Sequence, residues 1–288
     1  MKRVAVLGPG RVGTALALGL QHAGYRIAAV AGRDPGSPSV QRFTGLLPDA
    51  EVLPLDRATA GADLVLVTTP DDAITSTGRA VARADGVEEG QRWVHVSGGL
   101  GIDALATVTA AGGRVAACHP AMTFPDPEAG AASLPGTSWA VTAAEPDLGW
   151  ARLLVLDLRG SPVTLASKDR TLYHAGLAVG SNATTAVVSM ARDMLLGAGV
   201  DDPAAFLGPL VTTSALGGAT RGVDALTGPV RRGDVGTVAA HLAELRTSFP
   251  EAVDAYLALA ELILAQAVRS GMDPDRAQRM RDLLGAGG

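Results

Sequence analysis

Lys2-Arg3-Val4-Ala5-Val6-Leu7-Gly8-Pro9-Gly10-Arg11-Val12-Gly13-Thr14 is the stretch that decides the reading of this chain. Val4, Val6 and Leu7 make residues 2–7 a short apolar strand, and residues 14–23 take up a helical pattern. Between them stands G-x-G-x-x-G, with a strand before it and a helix after it. Gly8 permits the tight turn, Gly10 leaves backbone bare for a pyrophosphate, and Gly13 lets helix and sheet pack closely. The free N–H groups and positive end of the helix suit phosphate. The motif predicts a dinucleotide-binding turn in which Gly8, Gly10, Arg11, Val12 and Gly13 meet the ligand.

The next strand, residues 26–31, ends at Gly32-Arg33-Asp34. An acidic residue at this place suits the ribose 2′-hydroxyl of NAD, whereas an arginine suits the 2′-phosphate of NADP. Arg33 comes first, so the sequence favours NADP(H) over NAD(H).

Composition bounds the rest. A chain of 288 residues with 47% hydrophobic content can fill two cores. A net charge of −5 without a basic stripe argues against a nucleic-acid partner. The single cysteine, Cys118, excludes an internal disulfide and fits a reducing cytoplasm. The apolar run after Met1-Lys2-Arg3 is a strand ending in glycines rather than a signal sequence. Residues 171–191 carry no formal charge, yet His174, Ser181, Asn182, Thr184, Thr185 and Ser189 make them too polar for a lipid-facing span. No spacing of Cys, His or carboxylates predicts a metal site, and no nucleophile-elbow motif predicts Ser-His-Asp hydrolysis.

Strand and helix signals alternate through the first half, which predicts an α/β fold with a mostly parallel, doubly wound sheet. Further strands are expected at 51–53, 63–68, 93–96, 114–118 and 139–142. Thr69-Pro70-Asp71-Asp72 reads as a helix start with Thr69 as cap. Ligands of such sheets bind beyond the carboxyl ends of the strands, where Thr69, Ser97 and His119 fall. From about Ser167 the strand signals stop and an all-helical domain follows. Helices are expected at 168–197 (capped by Ser167), 203–216, 235–247, 251–270 (behind a capping box at Ser248) and 273–284, with a loop at 222–233. The chain thus divides into 1–164, a dinucleotide-binding Rossmann domain, and 165–288, a helical substrate and dimerisation domain.

The reaction must come from the sheet edge and the helical half. On a wheel at 100° per residue, Ser181 and Thr185 lie within about 20° of His174, and Asn182 about 80° away. Buried polar groups need partners, which a bound ligand or helix–helix hydrogen bonds can supply.

The strings His119-Pro120-Ala121-Met122-Thr123-Phe124, Lys168-(five residues)-His174 with Ser181-Asn182, and Leu226-Thr227-Gly228-Pro229-Val230-Arg231-Arg232-Gly233-Asp234 carry a resemblance over nearly the whole chain. Together with the glycine motif, the chain resembles the ketopantoate reductase, pyrroline-5-carboxylate reductase and 6-phosphogluconate dehydrogenase superfamily. More closely, it is similar to the branch of Rossmann-like proteins with a C-terminal domain of unknown function. Ordinary ketopantoate reductases open the long helix with a catalytic lysine and place an asparagine eight positions later; His174 and Asn182 stand at that spacing here. The resemblance implies that His174 donates the proton as hydride arrives and that Asn182 holds the substrate's polar end. Lys168, reaching in from the helix start, is the alternative donor unless it is a solvated first-turn lysine. Histidine suits the task because it titrates near neutral pH. His119 and Ser97 are further candidates for contact with substrate or cofactor, Thr69 and Ser97 for contact with the cofactor. Arg221, Arg231 and Arg232 offer guanidinium groups for a carboxylate.

These readings predict an NADPH-dependent oxidoreductase of a small carboxylated carbonyl compound, 2-dehydropantoate (ketopantoate) being the first choice. The alternatives are a pyrroline-5-carboxylate type imine reductase, a hydride exchanger between NADP and a deazaflavin, and a non-catalytic NADP(H) sensor. The uncharged helix has more apolar surface than one small domain covers, which predicts a cytoplasmic homodimer built through the C-terminal helices, without membrane contact.

Overall fold

The computed structural model describes residues 2–285. Its contacts divide the chain into two compact units, Met1–Ala178 and Val179–Gly288. The first holds one eight-stranded sheet. Its strands are β1 (Arg3–Leu7), β2 (Arg26–Ala31), β3 (Glu51–Val52), β4 (Leu64–Val67), β5 (Arg92–His95), β6 (Arg114–Pro120), β7 (Ser138–Ala143) and β8 (Ser161–Thr164). They lie in the order β3-β2-β1-β4-β5-β6-β7-β8, and all neighbours are parallel except β6 and β7. The order reverses between β1 and β4, which opens a crevice at their carboxyl ends. The mostly parallel sheet expected from the sequence is present; β8, which carried no strand signal, extends it by one.

Alternation along β1 builds a core on each face of the sheet. Val4 and Val6 join Leu16 and Leu20 of α1 (Arg11–His22) and Phe43 of α2 (Pro38–Leu46) on one side. Ala5 and Leu7 join the other side. There, after the short α3 (Leu55–Ala58), they meet Ile74 and Val81 of α4 (Asp71–Arg83) and Val108 of α5 (Ala106–Ala110). The short α6 (Pro127–Ala132) packs on α1, and α7 (Leu148–Asp157) adds Trp150, Leu154 and Val155 to the first core. The helix cap expected at Thr69 is not formed. Pro70 occupies the cap position, no side chain bonds the first turn, and the buried Thr69 hydroxyl finds no partner among the described residues.

The single helix expected over 168–197 is divided. A 3-10 turn (Ser167–Asp169) precedes α8 (Arg170–Ala178), a π-helical stretch spans Val179–Ala183, and α9 (Thr184–Gly197) follows. Ser167 makes no side-chain cap bond. A π-helical stretch turns the backbone by less per residue than an α-helix, so the wheel drawn at 100° does not carry from His174 to Thr185.

The second unit is helical: after α9 come α10 (Pro203–Arg221), α11 (Pro229–Arg232), α12 (Val235–Ser248), α13 (Val253–Arg269) and α14 (Pro274–Gly285). Val238, Leu242, Ala260, Leu264 and Met280 form its core. The 222–233 segment, expected as a loop, contains a 3-10 turn and α11. Gly228 and Gly233 take positive φ around it, and Asp234 then caps α12 through the Thr237 N–H. Ser248 does not open a capping box; its hydroxyl reaches back 2.5 Å to Glu244 of α12. No described helix is long and apolar enough to cross a membrane.

His95, at the end of β5, is fully buried and its Nε2 lies 3.0 Å from the Gly101 carbonyl. Burial, with a smaller push from Arg170, lowers its pKa from 6.5 to about 4. As pH falls, the unfolded chain therefore takes up the proton before the folded one does. The stability this neutral imidazole provides is complete above about pH 6.5 and is lost as pH falls from 6.5 towards 4. Urea unfolding followed across that window should show wild-type stability falling with a slope of up to about 1.4 kcal/mol per pH unit for this group. His95→Gln should reduce the slope by about that amount, and an unchanged slope would contradict this origin.

Candidate functional site

The site is built where β1, β2 and β4 end. The Gly8 N–H donates to the Ala31 carbonyl at 2.9 Å, and Thr68 Oγ1 donates to the Gly8 carbonyl at 2.7 Å. Gly8 has φ +99°, and a Cβ there would stand 2.7 Å from the Thr69 nitrogen, so no side chain fits. Gly13 is likewise pressed against Thr68 and the Gly8 carbonyl. At Gly10, by contrast, a Cβ would meet nothing within 4 Å. The open space beside Gly10 belongs to a cavity of about 1260 Å³.

Of the residues expected from the sequence, Gly8, Gly10, Arg11, Val12, Arg33, Thr69 and His119 line this cavity. Gly13 is buried behind them and acts by packing. Arg33 is exposed, with no ion pair among the described residues. The turn, the exposed arginine and the unpartnered Thr69 hydroxyl together fit a dinucleotide phosphate: bare donors, a cation and a hydroxyl with no other partner.

At the far end stand His119 and two residues of α8. His119 Nδ1 lies 2.9 Å from the Tyr173 hydroxyl oxygen, and the His119 and His174 rings meet edge to face at 5.8 Å. A Cβ on Gly98 would lie 3.0 Å from both His119 Nε2 and His174 Cγ, so both rings close over that glycine. His174 is exposed, His119 is partly buried, and burial together with Arg170 and His174 lowers the His119 pKa to about 4.

Ser97 is buried with its hydroxyl committed: it donates to Asp71 Oδ2 at 2.6 Å and accepts from the Leu100 N–H at 3.1 Å. Lys168 is exposed in the 3-10 turn before α8. Asn182 is exposed in the π-helical stretch of the second unit, Arg221 ends α10, and Arg231 and Arg232 lie in α11.

Sequence reasoning missed three groups. Tyr173 stands beside His174 and had no reason to be singled out. Asp71 looked like an ordinary first-turn acid, yet it lines the cavity. Arg170, in the first turn of α8, was not singled out and is wholly buried. Its guanidinium donates to Thr142 Oγ1 at 2.9 Å and to the Ser97 carbonyl, while Nε finds no partner. No described carboxylate pairs with it. Burial lowers its pKa, and its charge weighs against protonation of His119 and His95.

Comparison with known proteins places this geometry in context. No curated protein matches the chain. Among solved structures it is similar to one from Bacteroides fragilis catalogued as an NADP oxidoreductase, with 21% identity, 91% of this chain and 97% of that one covered, and a TM-score of 0.77. It is also similar to an imine reductase from Myxococcus stipitatus in complex with NADP+ (16% identity, 97% and 99% covered, TM-score 0.67). A reductive aminase from Aspergillus terreus in complex with NADPH gives 19% identity, 98% coverage of both chains and a TM-score of 0.64. At these identities the likeness is one of fold, and it spans both units. Residues 1–120 match the model of a Rossmann-like domain and residues 137–263 match the domain of unknown function DUF2520. The chain therefore joins a Rossmann-like N-terminal domain to a C-terminal domain of the DUF2520 type.

Proposed function

We propose that this chain is an NADP(H)-dependent oxidoreductase related to the ketopantoate and pyrroline-5-carboxylate reductases. Its proposed substrate is a small carboxylated carbonyl compound, with 2-dehydropantoate first among the candidates. The observation that carries this reading is the cavity itself, which runs from the bare Gly8–Gly13 turn to the imidazole of His119. The fold shared with NADP-binding enzymes supports it.

When bound, NADPH supplies a hydride. The N–H groups at the start of α1 hold its phosphates, and Arg33 pairs with the 2′-phosphate. His174, exposed beside Gly98, gives the proton to the substrate oxygen, with Lys168 as the alternative. Asn182 holds the substrate's polar end, a role that rests on the resemblance alone. By residue number the cofactor roles fall in the proposed domain 1–164 and the substrate roles in 165–288, while by contacts Lys168 and His174 belong with the cofactor turn to Met1–Ala178.

One observation favours the second reading, an imine reductase. Near His119 the charged group lining the cavity is a carboxylate, Asp71, which suits a cationic iminium better than a substrate carboxylate.

The helical unit supports the proposed homodimer. α9 has no buried residue and α10 only Pro203 and Gly217, while Phe206, Leu210 and Leu216 are each more than 60% exposed. A second copy covering this face would bury it.

Three measurements test these assignments. NADPH oxidation with ketopantoate, other branched 2-oxo acids and pyrroline-5-carboxylate should give turnover of the 2-oxo acid that drops about a hundredfold or more in His174→Ala. Turnover of the imine alone would favour the second reading, and none on any substrate would sink the reductase. Arg33→Ala should raise the KM for NADPH at least tenfold while leaving that for NADH within about twofold, since one charge-assisted contact is worth about 1.5–3 kcal/mol; equal effects would remove Arg33 from cofactor choice. Light scattering should give twice the 29.1 kDa chain mass, and Leu210→Asp should give the monomer. A wild-type monomer at micromolar concentration would overturn the dimer.

A further inference from the structure

His119, which lines the cavity, presents one ring nitrogen to Tyr173 and the other towards Gly98. Nδ1 stands 2.9 Å from the Tyr173 hydroxyl, with the rings edge to face at 5.7 Å and 85°. Nε2 lies 3.0 Å from where a Gly98 Cβ would be, on a residue that lines the cavity. Which nitrogen carries the hydrogen therefore decides what the cavity meets: a donor, an acceptor or a cation.

Three features choose the donor. First, a phenol is a better hydrogen-bond donor than a neutral imidazole N–H, and an unprotonated imidazole nitrogen is a better acceptor than a phenol oxygen. The Tyr173 O–H therefore donates to Nδ1, which leaves the ring hydrogen on Nε2. Second, burial raises the Tyr173 pKa, so the phenol keeps its proton. Third, the charges around the imidazole disfavour a second proton. Arg170 and His174 act against it, and of the neighbouring acids only Asp71 acts for it, with its carboxylate already accepting from Ser97.

The same buried guanidinium holds the geometry. Arg170 precedes Tyr173 by three residues in α8 and ties that helix to the Ser97 carbonyl and to Thr142 of β7. Tyr173 is thereby set against β6, where His119 stands.

We infer that Tyr173 is a positioning residue that fixes His119 as the neutral Nε2–H tautomer, so that the cavity is met by a hydrogen-bond donor reserved for a carbonyl-type oxygen. A neutral imidazole can polarise such an oxygen without carrying charge itself. A protonated iminium has no lone pair to offer this group. The substrate half of the inference rests on the reductase reading: it selects carbonyl reduction over reduction of an iminium. The tautomer half does not depend on turnover.

Long-range 1H–15N NMR of the imidazoles tests it in the full-length protein, with the His119 signals identified by their loss in His119→Asn. From pH 5.5 to 8 the wild type should show His119 as neutral Nε2–H, and Tyr173→Phe should give a mixture of tautomers while His95 is unchanged. An Nδ1–H tautomer or an imidazolium in the wild type overturns the inference, and does so even if Tyr173→Phe does not fold. An unaltered tautomer in a folded Tyr173→Phe overturns the role of Tyr173. Titration with NADPH and then ketopantoate identifies the oxygen. A change in the Nε2–H signal with NADPH alone assigns it to the cofactor carboxamide, and a change only on adding ketopantoate assigns it to the substrate. No change in either arm overturns the carbonyl partner. If the tautomer is as expected but no substrate in the panel is reduced, the reductase reading fails and the tautomer assignment stands.

Discussion

The close approach of the first turn to the neighbouring strand ends is the constraint on which the site depends. The Gly8 backbone is held from both sides, by Ala31 through its N–H and by Thr68 through its carbonyl. Gly13 must then pass against Thr68 with no side chain of its own. That contact brings the start of α1, where Gly10, Arg11 and Val12 line the cavity, to the crevice where the strand order reverses. A larger residue at Gly8 or Gly13 would push the helix away from the sheet, and the cradle would be lost with the packing.

The chemical end of the site is governed by a different force. A wholly buried guanidinium with no described carboxylate partner is costly. Here Arg170 ties together three segments: the first turn of α8, the Ser97-Gly98-Gly99 turn and β7. Its charge also acts on the imidazoles of His95 and His119, which burial already keeps neutral. One residue thus fixes where the rings stand and contributes to what they are chemically.

Much of the fold was legible because it rests on local signals. The strands buried on both faces read as short apolar runs, and the glycines of the first turn answer to a steric need that any nearby side chain would violate. β8, a four-residue edge strand with two of its residues polar, carried too weak a pattern. The π-helical stretch at Val179–Ala183 left no mark, since its residues differ little from those of an ordinary helix. Thr69 and Ser248 each had the composition of a cap, yet the backbone placed the helix start elsewhere. In the site, glycines and His119 were found from strand-end position. Tyr173, Asp71 and Arg170 were not, because their roles come from contacts between residues 26 to 73 positions apart.

The open backbone at Gly10 is the place we propose for a dinucleotide's pyrophosphate. Gly10 has an ordinary negative φ of −74°, and a methyl group there meets no protein atom within 4 Å. Gly10→Ala should therefore fold with an unchanged Tm, so a binding loss would report on the ligand alone. Calorimetric titration with NADPH should give micromolar affinity for the wild type and at least tenfold weaker binding for Gly10→Ala. Equal affinity in the two proteins, or no binding by the wild type, would contradict the account.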